Sequence, residues 1–358
     1  MKSEKISKIT LWQLKLPLKV PYVLSYNTFV DFEPIVTEVQ LSNGKVGWGE
    51  AHISPGSSSE TRSGGWNFVK SISKKLVGTT PNLAIANILN STPYSPVAKT
   101  SLAVAIEMAT NYKSLIQAED IVFPLLTPFN ATDPGSIETE IEERLALGFK
   151  TFKVKVGKDV ERDLQRITAI QKGLSGRATL RLDANRAYSR TDALNFAKKL
   201  NAEQIELFEQ PCNADDWSAN ADVARVSPVP VMLDEPICSI ADIDRASTIP
   251  NVGFCKLKLK RFSSIAQLEQ GLRRVKEHGM QAVLGDGLGG DISCWMEACV
   301  GQRLVDNAGE FNGYLKMDKS ILSNPLEFAN GAIHIPKNYW PNINLDYLET
   351  RITGRISF

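Results

Sequence analysis

The sequence predicts an α/β protein: a parallel β/α barrel over residues 119–324, behind a smaller α+β unit over residues 1–118. Three observations predict it. From Ile121 to about residue 315, short apolar runs alternate with helical stretches eight times. The first part of the chain lacks that alternation and carries hairpin signals instead. Charged residues recur where successive predicted strands end, which is where a barrel of this kind carries its chemistry.

The elements follow in chain order. Residues 9–18 and 35–41 are rich in β-branched and apolar residues and predict strands. Asn43-Gly44 supplies the positive-φ residues of a tight turn, so a return strand is expected through residues 46–49. Residues 52–65 are rich in Ser and Gly and predict a loop. Residues 84–89 and 102–109 predict helices. Barrel strands are expected near 121–126, 151–156, 178–183, 204–208, 229–233, 253–258, 281–285 and 308–311, with helices between them. Residues 263–278 show the helical type: Ser263 or Ser264 can cap, Ile265, Leu268, Leu272 and Val275 form one stripe, and Gly279 ends it. A doubly wound sheet would carry a glycine-rich phosphate loop after its first strand, and Pro124 to Pro128 offers none.

Composition removes several function classes. Lys plus Arg is 41 against 40 Asp plus Glu, so no global field points to nucleic acid. No stretch is apolar enough to span a bilayer, and Met1 to Lys5 leads into no signal core. Five cysteines without close pairing predict reduced thiols and a cytoplasmic location. Only three histidines and no CxxC argue against a zinc site. The expected partner is a small molecule, with no nucleic acid and no membrane.

The strand ends carry the chemistry. In Thr151 to Val156, alternation puts Lys153 and Lys155 on one face and apolar residues on the other. The apolar face packs on helices, so the lysines point inward and need acidic partners. Asp183, Glu209 and Asp234 end the next three strands about one βα unit apart. One such carboxylate alone would be read as a helix cap or a surface ion pair. Three at one height repel unless a cation sits between them, and an all-oxygen set favours Mg²⁺. On the sixth strand Lys256, Lys258 and Lys260 share a face, across the barrel from Lys153 and Lys155. A metal between two lysine clusters suits removal of a proton next to a carboxylate: one lysine takes the proton and the opposite one returns it. Lys153 beside Lys155 is expected to lower a lysine pKa.

This set resembles the enolase superfamily in its muconate-lactonizing enzyme subgroup, and more distantly mandelate racemase. The resemblance rests on Lys153-x-Lys155, Asp183-x-Asn185, Glu209-Gln210-Pro211, Asp234-Glu235 and the lysine strand, and it spans nearly the whole chain. It implies a modified TIM barrel of (β/α)7β type, an N-terminal α+β capping domain, and a C-terminal return within 325–358, here through residues 331–348. It implies Mg²⁺, with Mn²⁺ as a substitute, held by Asp183, Glu209 and Asp234. It implies Lys155 and Lys258 as the two bases, with Lys153 beside them, and a homo-oligomer. The mandelate-racemase pattern would place a histidine on the seventh strand, and residues 283–286 hold none.

The expected reaction is a 1,1-proton transfer, racemisation or epimerisation, next to a substrate carboxylate. Cycloisomerisation and an o-succinylbenzoate synthase-like dehydration use the same lysine pair, and a catalytically silent binding protein is the reading of another class. Specificity is expected in the loops 19–29 and 52–65, where Arg62 is the one candidate arginine clamp. Asn185, Asp286, Glu310 and Asn312 are the candidate substrate contacts. Dipeptide epimerases resembling this chain carry Asp-x-Asp on the eighth strand for the substrate ammonium, where this chain has Glu310-Phe311-Asn312. Glu310, with Asp286, is therefore expected to face a cationic amino-acid derivative, an N-methylated amino acid or a small dipeptide. The alternative pairs Glu310 with Lys316 and leaves Asp286 facing water.

Overall fold

The computed structural model describes residues 4–358 apart from 24–26, 57 and 93. Near the N-terminus, Ile6–Leu14, Ile35–Leu41 and Val46–Ala51 form an antiparallel sheet, with Ile352–Ser357 from the far end of the chain on its outer edge. A tight turn forms at Asn43-Gly44, but only Gly44 takes a positive φ, 86°, where both residues were expected to. Helices Arg62–Leu76, Pro81–Leu89 and Pro96–Ala109 share a buried cluster with this sheet. Gly47 and Gly49 let the last of these helices lie directly on the strand. A Cβ would stand 2.1 Å from the Ala105 carbonyl oxygen at Gly47 and 2.0 Å from that of Ser101 at Gly49. Gly47→Ala is therefore expected to cost about 1–3 kcal/mol through overpacking against backbone, read as a lower denaturant midpoint.

Residues 52–65 are not all loop. The helix Arg62–Leu76 begins inside that stretch, with Thr61 capping it by accepting from the Gly64 amide. Its first turn, Arg-Ser-Gly-Gly, looks like loop because two glycines are poor helix formers. Gly65 is small because Ile53 packs there, 2.1 Å from where a Cβ would stand.

The barrel is a sheet of seven parallel strands in sequential order: Thr127–Phe129, Thr151–Lys155, Thr179–Asp183, Ile205–Glu209, Val231–Leu233, Val252–Leu257 and Gln281–Leu284. Two expected strands differ. Ile121–Pro124 pairs antiparallel with Ala332–Ile335 in a separate three-stranded sheet, and the first barrel strand starts at Thr127. Both are short apolar runs divided only by Leu125 and Leu126, and hydrophobicity does not name a strand's partner. Residues 308–311 make no regular strand. They close the barrel through individual backbone bonds: Leu126 N to Gly309 O, Gly309 N to Pro124 O, and Glu310 N to Leu284 O, at 2.7–2.9 Å. Buried Arg181 fixes this segment, donating to Ala308 O at 2.8 Å and Asn307 Oδ1 at 3.1 Å while it pairs with Glu206.

The C-terminal return also differs in detail. Residues 332–335 join Ile121–Pro124, and the strand that reaches the N-terminal sheet is Ile352–Ser357, beyond the expected 331–348. The helix expected over 263–278 runs Ile265–Glu277, capped by Ser264, with Ile265, Leu268, Leu272 and Val275 buried. No helix among the described residues is long and apolar enough to cross a membrane.

Candidate active site

Alternation on the parallel strands builds the site. On the fourth to seventh strands Leu207, Met232, Phe254 and Val283 form a small buried cluster of their own. Two residues further along the same inward face come Glu209, Asp234 and Lys256. Pairing sets the heights: Lys155 lies opposite Asp183, and Asp183 opposite Glu209. The charged ring therefore stands above an apolar floor at the C-terminal mouth of the barrel.

The inward lysines meet the acids expected of them. Lys153 Nζ lies 2.9 Å from Asp183 Oδ2, 2.8 Å from Glu209 Oε2 and 2.9 Å from Glu310 Oε2. Lys155 Nζ donates to Asp183 Oδ2 and Asn185 Oδ1, each at 2.5 Å, and the Asn185 amide donates to Asp183 Oδ1 at 2.8 Å. From the sixth strand Lys258 Nζ reaches Asp234 at 2.9 Å, and Arg261 Nη1 holds the same carboxylate at 2.9 Å. Lys153, Lys155, Asp183, Asn185, Asp234, Lys258, Asp286 and Glu310 all line one pocket, with Glu209 buried next to it. Asn312 is buried and does not line it. Asn312 donates to Leu126 O at 2.9 Å and accepts from Lys316 Nζ at 2.5 Å.

Four expectations change. First, Lys153 is not lowered. Burial pulls its pKa down, but Asp183, Glu209 and Glu310 together hold it well above the usual lysine value. Second, Lys260 leaves the strand face. The strand ends at Leu257, Lys258 precedes a short helix Leu259–Phe262 without capping it, and Lys260 on that helix pairs with Asp286. Third, Glu310 pairs with neither a free substrate position nor Lys316: its carboxylate is shared by Lys153 and Lys256. Burial raises its pKa, and these two lysines bring it net below the carboxylate range. Asp286 is not left to water alone: partly buried in the pocket wall, it pairs with Lys260. Fourth, Arg62 pairs with Glu33 and does not line the pocket.

Residues singled out less clearly in the sequence also stand here. Arg186, which directly follows the Asp183-x-Asn185 motif, pairs at 3.0 Å across the mouth with Glu235 of the Asp234-Glu235 motif. Burial and then Asp234 push Glu235 up to about 7. Lys256 was visible only as one more lysine on an alternating strand. Tyr22 and Ser58, from the two loops expected to close over the barrel, reach the pocket, while 24–26 and 57 of those loops lie outside the described residues. Nothing in the residue types marked either one.

A metal was expected between the carboxylates. Among the described residues no three acids converge as ligands do, because lysines and Arg261 stand between them. The donor set nevertheless fits a hard divalent ion. Glu209 is 1% exposed and neither of its oxygens has an aligned hydrogen bond, although Lys153 lies close. Its pKa is raised by burial and then by Asp183, the signature of two acids crowded at one place. Asp183 and Asp234 are held below the usual range: burial opposes this, and Lys153 with Lys155, and Lys258 with Arg261, outweigh it. An oxygen-only, buried set is what Mg²⁺ takes.

Comparisons with known proteins agree with this architecture. The model of the family described as enolase C-terminal domain-like matches residues 136–339. An N-succinyl-L-Arg/Lys racemase of Bacillus cereus is 24% identical over 331 residues, 88% of this chain and 89% of that one. The solved muconate lactonizing enzyme of Pseudomonas fluorescens, complexed with muconolactone, superposes with a TM-score of 0.88 at 21% identity, over 98% of this chain and 100% of that one. A dipeptide epimerase of Cytophaga hutchinsonii, complexed with Mg and D-Ala-L-Val, gives 0.89 at 21% identity, over 99% of each chain.

Proposed function

Because the chain belongs to the enolase C-terminal domain-like family, with the fold of the muconate lactonizing enzymes, we propose that it is a racemase or epimerase of amino-acid derivatives. The observation that carries this reading is the pair Lys155 and Lys258. They enter one pocket from the second and sixth strands, on opposite walls, each already hydrogen-bonded to a carboxylate of the charged ring. A carbon held between them presents one face to each lysine. One ammonium, once deprotonated, accepts the α-proton; the other donates a proton from the opposite face, and the centre inverts. Lys153 does not serve as a base, because three carboxylates keep it charged. It compensates the buried acids Asp183, Glu209 and Glu310.

Asp183, Glu209 and Asp234 are the residues that would hold a divalent ion. Bound there, Mg²⁺ supplies positive charge against the negative charge that builds on a substrate carboxylate as its α-proton leaves. Arg261 and Asn185 then orient the ring, by holding Asp234 and Lys155 respectively.

The test is a panel of N-acyl amino acids and dipeptides incubated in D₂O and read by mass spectrometry. Uptake of one α-deuterium with inversion is expected. A protein that binds these carboxylates but exchanges no α-proton in any of them is a binding protein, and the proposal fails. Activity should vanish in EDTA and return with added Mg²⁺.

A further inference from the structure

Charge accounting inside the pocket narrows the substrate. Among the described residues five carboxylates line it, Asp183, Asp234, Glu235, Asp286 and Glu310, and each is ion-paired to a lysine or arginine of this chain. Six cations line the same space, so the lining is positive by one before any metal ion enters. A bound ammonium group needs a carboxylate with capacity to spare, because a charge removed from water without a partner is strongly disfavoured. Glu310 is the strongest candidate for that partner, being buried at the closing segment of the barrel beside the site. Both of its oxygens are taken. Lys153 Nζ lies 3.0 Å from Oε1 and 2.9 Å from Oε2, and Lys256 Nζ also contacts Oε2.

Lys256 is the informative residue. It is 1% exposed, does not line the pocket, and has Glu310 as its ion-pair partner. It follows Phe254 on the inward face of the sixth strand and precedes Lys258, so the strand cannot move it without moving the proposed base. Its ammonium is a resident counter-ion for Glu310, the pocket carboxylate carried by the closing segment of the barrel. A third cation at Glu310 would be repelled by two fixed ones. This is discrimination by a built-in repulsive element, not by a missing contact.

We infer that Lys256 acts as a specificity residue, selecting substrates whose nitrogen is acylated and uncharged over those with a free ammonium group. The inference rests on the racemase reading and deepens it. Neutral amides add no charge at Glu310, and an acyl tail ending in a carboxylate matches the positive excess of the lining.

The test uses a matched set: alanyl dipeptides with a free N-terminus, the same dipeptides N-acetylated, and the N-succinyl amino acids. The carbon next to the carboxylate carries an Ala, Leu, Phe or Lys side chain in turn, and α-deuterium uptake is followed in D₂O. For the wild type, kcat/KM is expected to be at least about tenfold higher for acylated members than for their free-amine counterparts. Lys256→Met keeps the side chain's length and leaves Glu310 with Lys153 alone. It should raise the free-amine to acylated ratio by about tenfold. Equal or better turnover of the free dipeptides by the wild type overturns the inference, whether or not the variant folds. An unchanged ratio in a folded Lys256→Met variant overturns the role of Lys256. No exchange from any member overturns the racemase reading itself, and this inference falls with it.

Discussion

Alanine at Lys155 or at Lys258 is expected to lower turnover by about 10³-fold or more, the scale of a lost general acid or base. The two variants should fail differently. With Lys155 gone, the sixth-strand base can still exchange the α-proton of the enantiomer that presents it to Lys258. With Lys258 gone, only the other enantiomer should exchange. Each variant is therefore incubated in D₂O with each enantiomer separately, and deuterium uptake is read by NMR. Neither variant should unfold. Asp183 keeps Lys153 as a partner when Lys155 is removed, and Asp234 keeps Arg261 when Lys258 is removed. Full activity in either variant rejects the two-base mechanism. Exchange without inversion in the wild type points instead to elimination or cycloisomerisation, in which the proton is handled on one face only.

What the sequence made legible was periodic and local. Alternation placed Lys153 and Lys155 inward, and the repeat of strand ends put Asp183, Glu209 and Asp234 at comparable places around the barrel. Strand pairing then sets Asp183 opposite Glu209. What stayed hidden was pairing between distant segments. Nothing in residues 121–126 says that Ile121–Pro124 will take Ala332–Ile335 as its partner and leave the barrel to Thr127. The closing segment 308–311 reads as a strand in the sequence, and only the fold shows that it makes just a few single backbone bonds, to residues 124–126 and to Leu284. The partners of Glu310 were misjudged for the same reason. The sequence shows a carboxylate on the eighth unit, but only the fold brings Lys153 and Lys256 to it from the second and sixth strands. Ion pairs across a barrel have no sequence spacing, whereas ligands at successive strand ends do.

The second large effect concerns Asp183. Asp183→Asn keeps the size of the side chain and its acceptor for the Asn185 amide, but it removes a charge from the centre of the ring. Turnover is expected to fall by about 10³-fold, as when a principal electrostatic contact at a developing charge is removed. The fold should survive, because Lys153 retains Glu209 and Glu310 within 2.9 Å. Binding of a metal can be read without turnover. Anything that binds only the folded chain raises its stability by mass action, by about 2.7 kcal/mol at a hundred times Kd. Mg²⁺ should therefore raise the wild-type Tm in a concentration-dependent way, and calorimetric titration should give one site. In Asp183→Asn the Tm rise should shrink at equal Mg²⁺, and the titration should need a higher concentration. Na⁺ at matched ionic strength separates this from screening, which weakens exposed pairs without saturating. The same Mg²⁺-dependent Tm rise in both proteins would place the ion elsewhere and remove Asp183 from its site. A variant that binds Mg²⁺ weakly yet turns over normally at saturating Mg²⁺ would instead leave Asp183 as a ligand with no further part in the chemistry.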